Sequence, residues 1–393
     1  MRSYTGTTWQ WSRVKARGCP GEVIIIMDVR ACKTAENIFR TNLAVKKRER
    51  VIVFTDDYSA GTGEIARLVA ETGAKFTCDI RYVEYPNTGC HGVEPPEGMW
   101  AEAYGESVYR QLREKKLLRP LLSKKAAAPQ AREIEKIIRA HKGEAADVVI
   151  ALSYFSTTHT RFRDMLNRIC GARYASMPLF DAPMLEGAMT VNWKKMLERT
   201  KKIAGLVNEC EDIEINTPNG TSITFSKRGR EARMDTGIIT KPGQYSNLPA
   251  GEVYLAPLEG TANGRLVLEW APTRKLKSPV TLYIEKGMVR TVEGTEEYAG
   301  YLKKKLSERN ENRNIAELGI GTNNKASRPD NILESEKISG TIHIALGDNS
   351  SFGGKVSTPF HQDFVFFRPS VKLISATGRE RSLLKNGRIF SGR

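Results

Sequence analysis

The chain has 393 residues, with 61 Lys plus Arg against 45 Asp plus Glu and a net charge of +16. At roughly 150 residues per domain this predicts about two or three domains. The 40% hydrophobic and 27% charged content is that of a globular enzyme and excludes low-complexity disorder as the main state. No apolar run approaches the roughly 18 residues of a transmembrane helix, so membrane insertion is excluded. The positive excess is concentrated: +3 in residues 1–26, +6 in 105–146 and +6 in 367–393, leaving the rest nearly neutral. A body without a basic face argues against nucleic acid as a partner.

Residues 1–26 read as an extension holding Trp9, Trp11 and a Gly18–Cys19–Pro20–Gly21 turn. Met27 is a natural start for the pattern that follows. The apolar run Val23–Met27 is shorter than the roughly 7–15 residues of a signal-peptide core. The six cysteines, Cys19, Cys32, Cys78, Cys90, Cys170 and Cys210, form no CxxC pair. These features predict a cytoplasmic chain with reduced thiols.

From Ala31 helix and strand alternate. Ala31–Leu43 reads as helix, Arg50–Phe54 as strand, Gly61–Thr72 as helix and Phe76–Val83 as strand. Asp147–Leu152 and Arg173–Ser176 read as two more strands, with a helix at 160–170 between them. Continuous apolar strands alternating with helices predict a parallel sheet covered on both faces. No GxGxxG is present, so a dinucleotide site is not expected. Residues 105–146 read as a basic helical insert, with Ile134, Ile137 and Ile138 on one face of a helix at Arg132–His141. The helix 193–208 leads toward the second domain.

After residue 211 the pattern changes to short alternating strands and turns. Ile213–Asn216 with Ser222–Phe225, and Val280–Ile284 with Met288–Val292, read as hairpins. A last hairpin is expected from Val371–Ser375 and Arg388–Phe390 around Asn386–Gly387, and one clear helix at 295–309. The expected architecture is α/β plus α+β. A parallel-sheet α/β domain would span 27–205 and a mostly-β metal-binding domain 206–393.

The chain has five histidines: His91, His141, His159, His343 and His361. His343 lies in an apolar strand, Thr341–Leu346. His361 and Asp363 are two apart in a strand and so project from one face. Glu252 and Glu317 are lone acids in apolar runs, and a buried acid needs a partner or a metal. Glu259, Glu334 and Glu336 are further candidates for a base or a supporting role. His159 is expected to cap a helix or to line a substrate pocket.

The stretches NLPAGEVYLAPLEGTANG (247–264), NIAELGIG (314–321), ILESEKISGTIHIALGDNSSFGG (332–354) and PFHQDF (359–364) resemble the thermophilic metalloaminopeptidases of the aminopeptidase T and aminopeptidase S type. RERVIVFTDD, ALSYFSTTHT and ARYASMP resemble the first domain of that family. The similarity covers roughly 27–104 and 147–390, and is greatest toward the leucyl aminopeptidase-like branch. The resemblance implies a cytoplasmic, homodimeric hydrolase, a metalloprotease that releases N-terminal residues from peptides with a free amino terminus. It implies two divalent ions (Zn, Co or Mn) held by Glu252, Glu317, His343, His361 and Asp363, with Glu317 also catalytic. A water bridging two such ions would attack the scissile carbonyl. Members of that family carry a tyrosine seven residues after the first histidine. Here Ser350 stands there, and Ser350 or Asp348 would have to replace it.

Two other readings remain open on the same residues. The ring-cleaving dihydroxypyridine dioxygenases, which use non-haem iron, resemble this family, and His343, His361 and Asp363 would supply a two-histidine, one-carboxylate set. The third reading is a non-catalytic, metal-stabilised protein that docks a partner through its basic insert.

Overall fold

A computed structural model of the chain describes residues 12–13 and 29–389. The expectations for Trp9, Trp11, the Gly18–Gly21 turn, Cys19, Met27 and Phe390 fall outside the described residues. The chain forms two compact units, Met1–Met189 with Gly237–Leu248, and Thr190–Thr236 with Pro249–Arg393. The fold is mixed α/β, with a parallel-sheet unit and a C-terminal region of antiparallel sheets. Among the described residues no helix is long and apolar enough to cross a membrane.

The first unit is built on a six-stranded sheet in the order β1-β3-β2-β4-β5-β9. Its strands are β1 (Ser12–Arg13), β2 (Arg50–Asp56), β3 (Asp79–Tyr85), β4 (Val148–Ala151), β5 (Arg173–Ser176) and β9 (Tyr245–Asn247). All neighbours are parallel except the edge pair β1 and β3. β4 and β5 are buried at every position, as expected for strands covered by helices on both faces. The strand expected from Phe76 starts at Asp79 instead. Phe76 N donates to Gly73 O as the preceding helix ends, and the Phe76 ring stacks on Phe39 at 5.4 Å.

The basic segment 105–146 belongs to this unit's core. Val108, Leu112, Ile134, Ile137 and Ile138 are buried in one cluster with Ile52, Phe54 and Val149. Its cations Arg110, Arg113, Lys115, Lys116 and Arg119 remain exposed. The apolar spacing that marked an amphipathic helix therefore covers the sheet, and the charge is the solvated face of that layer.

The second unit contains two antiparallel sheets. The larger has the order β13-β12-β11-β7-β6-β17-β18-β19. It comprises β6 (Asp212–Asn216), β7 (Ser222–Ser226), β11 (Asn263–Ala271), β12 (Arg274–Glu285), β13 (Met288–Glu293), β17 (Ser370–Ile374), β18 (Glu380–Lys385) and β19 (Arg388–Ile389). The smaller has the order β16-β15-β14-β10-β8, with β8 (Arg233–Asp235), β10 (Glu252–Leu255), β14 (Ile315–Gly321), β15 (Ile342–Gly347) and β16 (His361–Phe366).

One core cluster joins these sheets through Ile213, Ile215, Leu266 and Leu282 of the larger and Leu318, Ile320, Ile344 and Phe364 of the smaller. The helix Trp193–Asn208 adds Ile203, Ala204 and Val207 to it. The units therefore divide at Met189 rather than near 205, and 237–248 returns to the first unit because β9 pairs with β5. The Asn386–Gly387 turn, at φ 49° and 77°, joins β18 to β19 rather than joining β17 to a strand at 388. Positive φ at both central residues is what such a two-residue hairpin requires.

Candidate metal centre

The smaller sheet sorts its side chains by parity. Glu317, Ala345 and Asp363 form one row across β14, β15 and β16, and Gly319, His343 and Val365 form the next. Glu252 on β10 stands opposite Gly321, and His361 stands opposite Gly347. Residues paired across antiparallel strands share a face. That face thus carries Glu252, Glu317, His343, His361 and Asp363, separated by glycine and alanine. The intervening positions Leu318, Ile320, Ile342, Ile344, Phe364 and Phe366 point to the other face and join the hydrophobic core. Alternation of core residue with functional residue explains how strands that read as wholly apolar can hold acids.

The five residues singled out in the sequence converge. Ligand atoms of Glu317, His361 and Asp363 lie within 4.8 Å of one another. His361 Nε2 is 3.5 Å from Glu317 Oε2 and 3.5 Å from Asp363 Oδ2. His343 Nε2 is 3.5 Å from both Glu252 Oε2 and Glu317 Oε1. The Nδ1 of His361 lies 2.8 Å from the Asp348 carbonyl oxygen. A carbonyl can only accept, so Nδ1 carries a proton, and Nε2 is the ring nitrogen that faces the carboxylates.

These residues fit a metal. The donors are two carboxylates and one imidazole, with no thiolate, a set suited to Fe, Mn, Co or Zn. With Nδ1 held on the Asp348 carbonyl, Nε2 is the nitrogen a metal would take on loss of its proton. Glu252 Oε2 and His343 Nδ1 are buried without a hydrogen-bond partner, and such buried polar atoms are costly unless a further charge compensates them.

Burial opposes a charged His361, but Asp363 and Glu317 outweigh it and raise its pKa to about 10. His343 is likewise raised to about 9, against burial, by Glu317 and Glu252. Burial would raise Asp363, yet the His361 and His343 imidazoles hold it well below the usual carboxylate range. Burial, with the Asp363 charge adding, pushes Glu317 up and pushes Glu336 up to about 8.

Sequence reasoning missed Lys337. Its side chain is 0% exposed, with Nζ 2.6 Å from Glu252 Oε1, 3.2 Å from Glu336 Oε2 and 3.9 Å from Asp235 Oδ2. Against burial, those three carboxylates hold its pKa well above the usual value. The Glu336–Lys337 dipeptide is the available signal: an ion pair in sequence, a few residues ahead of the buried strand β15. Asp235 comes into range only through the β8–β10 pairing, where it faces Glu252, and nothing local announces it.

The other candidates have different tasks. Glu334 Oε1 accepts from Ser327 N at 2.8 Å and Arg328 N at 3.3 Å, fixing a loop. Glu259 accepts from Asn349 Nδ2, Lys355 N and Arg230. Ser350 is exposed in a short turn of helix, and its hydroxyl donates to Asp348 Oδ1 at 2.9 Å. In the first unit the helix Arg161–Met165 is capped by Thr160, not His159. His91 Nδ1 accepts from Ser156 N at 3.0 Å, and His141 Nε2 contacts Gln111 Nε2 at 2.6 Å.

Residues 110–377 match the family model of 2,5-dihydroxypyridine 5,6-dioxygenase (NicX). The 2,5-dihydroxypyridine 5,6-dioxygenase of Pseudomonas putida KT2440 is 25% identical over 174 residues, covering 40% of this chain and 49% of that protein. The match thus spans about half the length of that relative. The solved structure of 2,5-dihydroxypyridine dioxygenase from Pseudomonas putida KT2440 superposes with a TM-score of 0.66 at 18% identity, covering 92% of this chain and 97% of the other. Wild-type AmpT from Thermus thermophilus superposes with a TM-score of 0.56 at 16% identity, covering 92% and 98%.

The expectation of a hydrolase, a metallo-exopeptidase cleaving N-terminal peptide bonds, is corrected by these findings. The likeness to AmpT is one of fold, whereas the sequence match is to an oxidoreductase. One fold can host unrelated chemistries, so strand motifs alone did not separate the two. With its matched span covering well over half its length, the chain belongs to the 2,5-dihydroxypyridine 5,6-dioxygenase (NicX) family.

Proposed function

We propose that the protein is a metal-dependent oxygenase that opens a hydroxylated pyridine-type ring, with iron as its metal. The observation that carries this reading is the convergence of Glu317, His361 and Asp363 within 4.8 Å on one sheet face, in a chain of the dioxygenase family. Glu317, His361 and Asp363 would hold the ion through oxygen and nitrogen donors of the kind that suit non-haem iron. His343 stands against the same set, its Nε2 3.5 Å from Glu317 Oε1. Bound iron would supply the activation of O₂ and a Lewis-acidic contact for a ring hydroxyl.

The chain's own residues do the rest. The Asp348 carbonyl orients the His361 ring through Nδ1–H. His343 holds a proton at Nε2 between Glu252 and Glu317, which fixes the Glu317 carboxylate in place. The apolar layer of Leu318, Ile344 and Phe364 beneath the face keeps water from approaching from the core side.

The test is anaerobic loading of metal-free protein with Fe(II), followed by 2,5-dihydroxypyridine and related dihydroxypyridines in an oxygen electrode. The expected result is one O₂ consumed per ring lost, read as decay of the aromatic absorbance. Absence of O₂ uptake with every dihydroxypyridine, in protein shown to contain iron, would overturn the proposal.

A further inference from the structure

Resting on His361 as a metal ligand, we infer that Glu259 is a positioning residue of the centre: its carboxylate closes the loop 348–356, and that loop aims the His361 imidazole at the metal position. His361 depends on such support. It is the first residue of β16, and its side chain is 30% exposed, against between 2% and 16% for the other four of the cluster. Besides the carboxylates, its ring has two contacts, and both come from the loop. Nδ1 donates to the Asp348 carbonyl at 2.8 Å. The Phe352 ring stands edge-on to the imidazole, with centroids 6.0 Å apart and planes at 89°.

The carbonyl that receives Nδ1–H belongs to the peptide plane between Asp348 and Asn349. The other side of that plane is the Asn349 N–H, which donates to Val356 O at 3.1 Å. Asn349 is 0% exposed, and its side chain works at both ends: Oδ1 accepts from Val356 N at 2.9 Å, and Nδ2 donates to Glu259 Oε1 at 3.0 Å. The same Oε1 accepts from Lys355 N at 2.7 Å. Glu259 therefore holds both arms of the loop, one through the Asn349 amide and one through the backbone at Lys355. Its Oε2 is anchored in turn by Arg230, whose carbonyl accepts from Lys227 Nζ at 3.0 Å. The packing is close, since a Cβ on Gly354 would fall 1.9 Å from Asn349 Cγ. Without Glu259 the buried Asn349 amide is an unsatisfied donor, and any shift of Asn349 carries the Asp348 carbonyl with it.

Two measurements on the full chain test this: the Kd for Zn(II) by chelator competition, and the ring ¹H–¹⁵N correlations of ¹⁵N-histidine-labelled, Zn-loaded protein. In wild type the His361 Nδ1–H should give a slowly exchanging downfield signal, assigned by its absence from His361→Ala. Glu259→Ala, once its circular dichroism matches wild type, should bind Zn(II) about 10–100-fold more weakly, the range of groups that orient a ligand. Its His361 signal should shift or vanish into exchange with water, while the ring signals of His91 and His141 stay in place. Asn349→Ala should do the same, and the double variant should be no weaker than the weaker single one, since both cut one connection. A folded Glu259→Ala with a Kd within about threefold of wild type, or with the His361 signal unmoved, would overturn the inference, as would losses that add in the double variant. If Glu259→Ala does not fold, Asn349→Ala decides by the same two readings. A zinc-binding wild type that consumes no O₂ with dihydroxypyridines once loaded with iron would sink the proposed reaction and leave this inference standing.

Discussion

The His343 imidazole lies directly over the α-carbon of Gly319, its partner across the β14–β15 ladder. A Cβ built on Gly319 would fall 1.9 Å from His343 Cε1 and 2.0 Å from Nε2. No side chain fits there, and the ring cannot slide aside without leaving the Glu252 and Glu317 carboxylates. Gly319→Ala should therefore displace the imidazole at an overpacking cost of about 1–3 kcal/mol. Thermal melts of the metal-free variant should show a transition lower by roughly 2–4 °C per kcal/mol. An unchanged melting temperature would mean that the ring has another place to rest.

Removing one of the three converging side chains should separate ligand from scaffold. His361→Ala, Glu317→Gln and Asp363→Asn each delete or neutralise a donor on the face of the smaller sheet opposite the core, with the core layer of Leu318 and Phe364 untouched. Each is expected to lower metal affinity by more than the 10–100-fold typical of outer partners, with the circular dichroism of wild type retained. Equilibrium dialysis against Fe(II) or Zn(II) provides the readout. A variant that binds metal as tightly as wild type removes that residue from the ligand set.

The parts of this architecture that were legible in sequence are those where local pattern and burial agree. β2 and β4 are continuous apolar runs and were readable as buried parallel strands. His361 and Asp363, two apart in one strand, had to share a face. The segment 105–146 shows the opposite case: its charge drew attention to its solvent side, while Val108, Leu112 and Ile137 were packing onto the sheet. Lys337 was hidden because its partners Glu252 and Asp235 are 85 and 102 positions away and meet it only after β8, β10 and β14 have paired. The chemistry was harder still, since the fold is shared with AmpT; the sequence match to the dioxygenase separated the two.

Metal binding should be linked to protons in a stated direction. In the metal-free chain His361 is raised to about 10 and His343 to about 9, from an ordinary value near 6.5. The stability these groups contribute is complete below about pH 6.5 and is lost as pH climbs through about 9 and then about 10. Asp363, held below its usual range, contributes stability above its ordinary pKa that disappears as pH falls. An ion at His361 Nε2 must displace its proton, so at pH 7 at least one proton should be released per ion bound. Apparent affinity should rise about tenfold per pH unit across the neutral range. Calorimetry in buffers of different ionisation enthalpy counts the protons directly, and a count of zero would contradict the protonated resting state of His361.

Ser350 stands seven residues after His343, and its surroundings argue for a modest task. Its hydroxyl donates to Asp348 Oδ1 at 2.9 Å, an oxygen that also accepts from Thr358 N at 3.3 Å. The Asp348 main-chain carbonyl, not its carboxylate, orients His361. Loss of the hydroxyl leaves Asp348 with its second partner and leaves that carbonyl where the β15–β16 connection puts it, since Asp348 N still donates to Phe360 O at 2.8 Å. Ser350→Ala should therefore cost no more than about 0.5–1.5 kcal/mol of stability, the net value of one exposed hydrogen bond. Metal affinity should stay within about threefold of wild type, because Ser350 acts only through a side chain that the His361 ring does not touch. Dialysis of Ser350→Ala beside Asp363→Asn sets the comparison. If Ser350→Ala loses metal as severely as Asp363→Asn, the serine reaches the ion itself and the ligand set must be enlarged to include it.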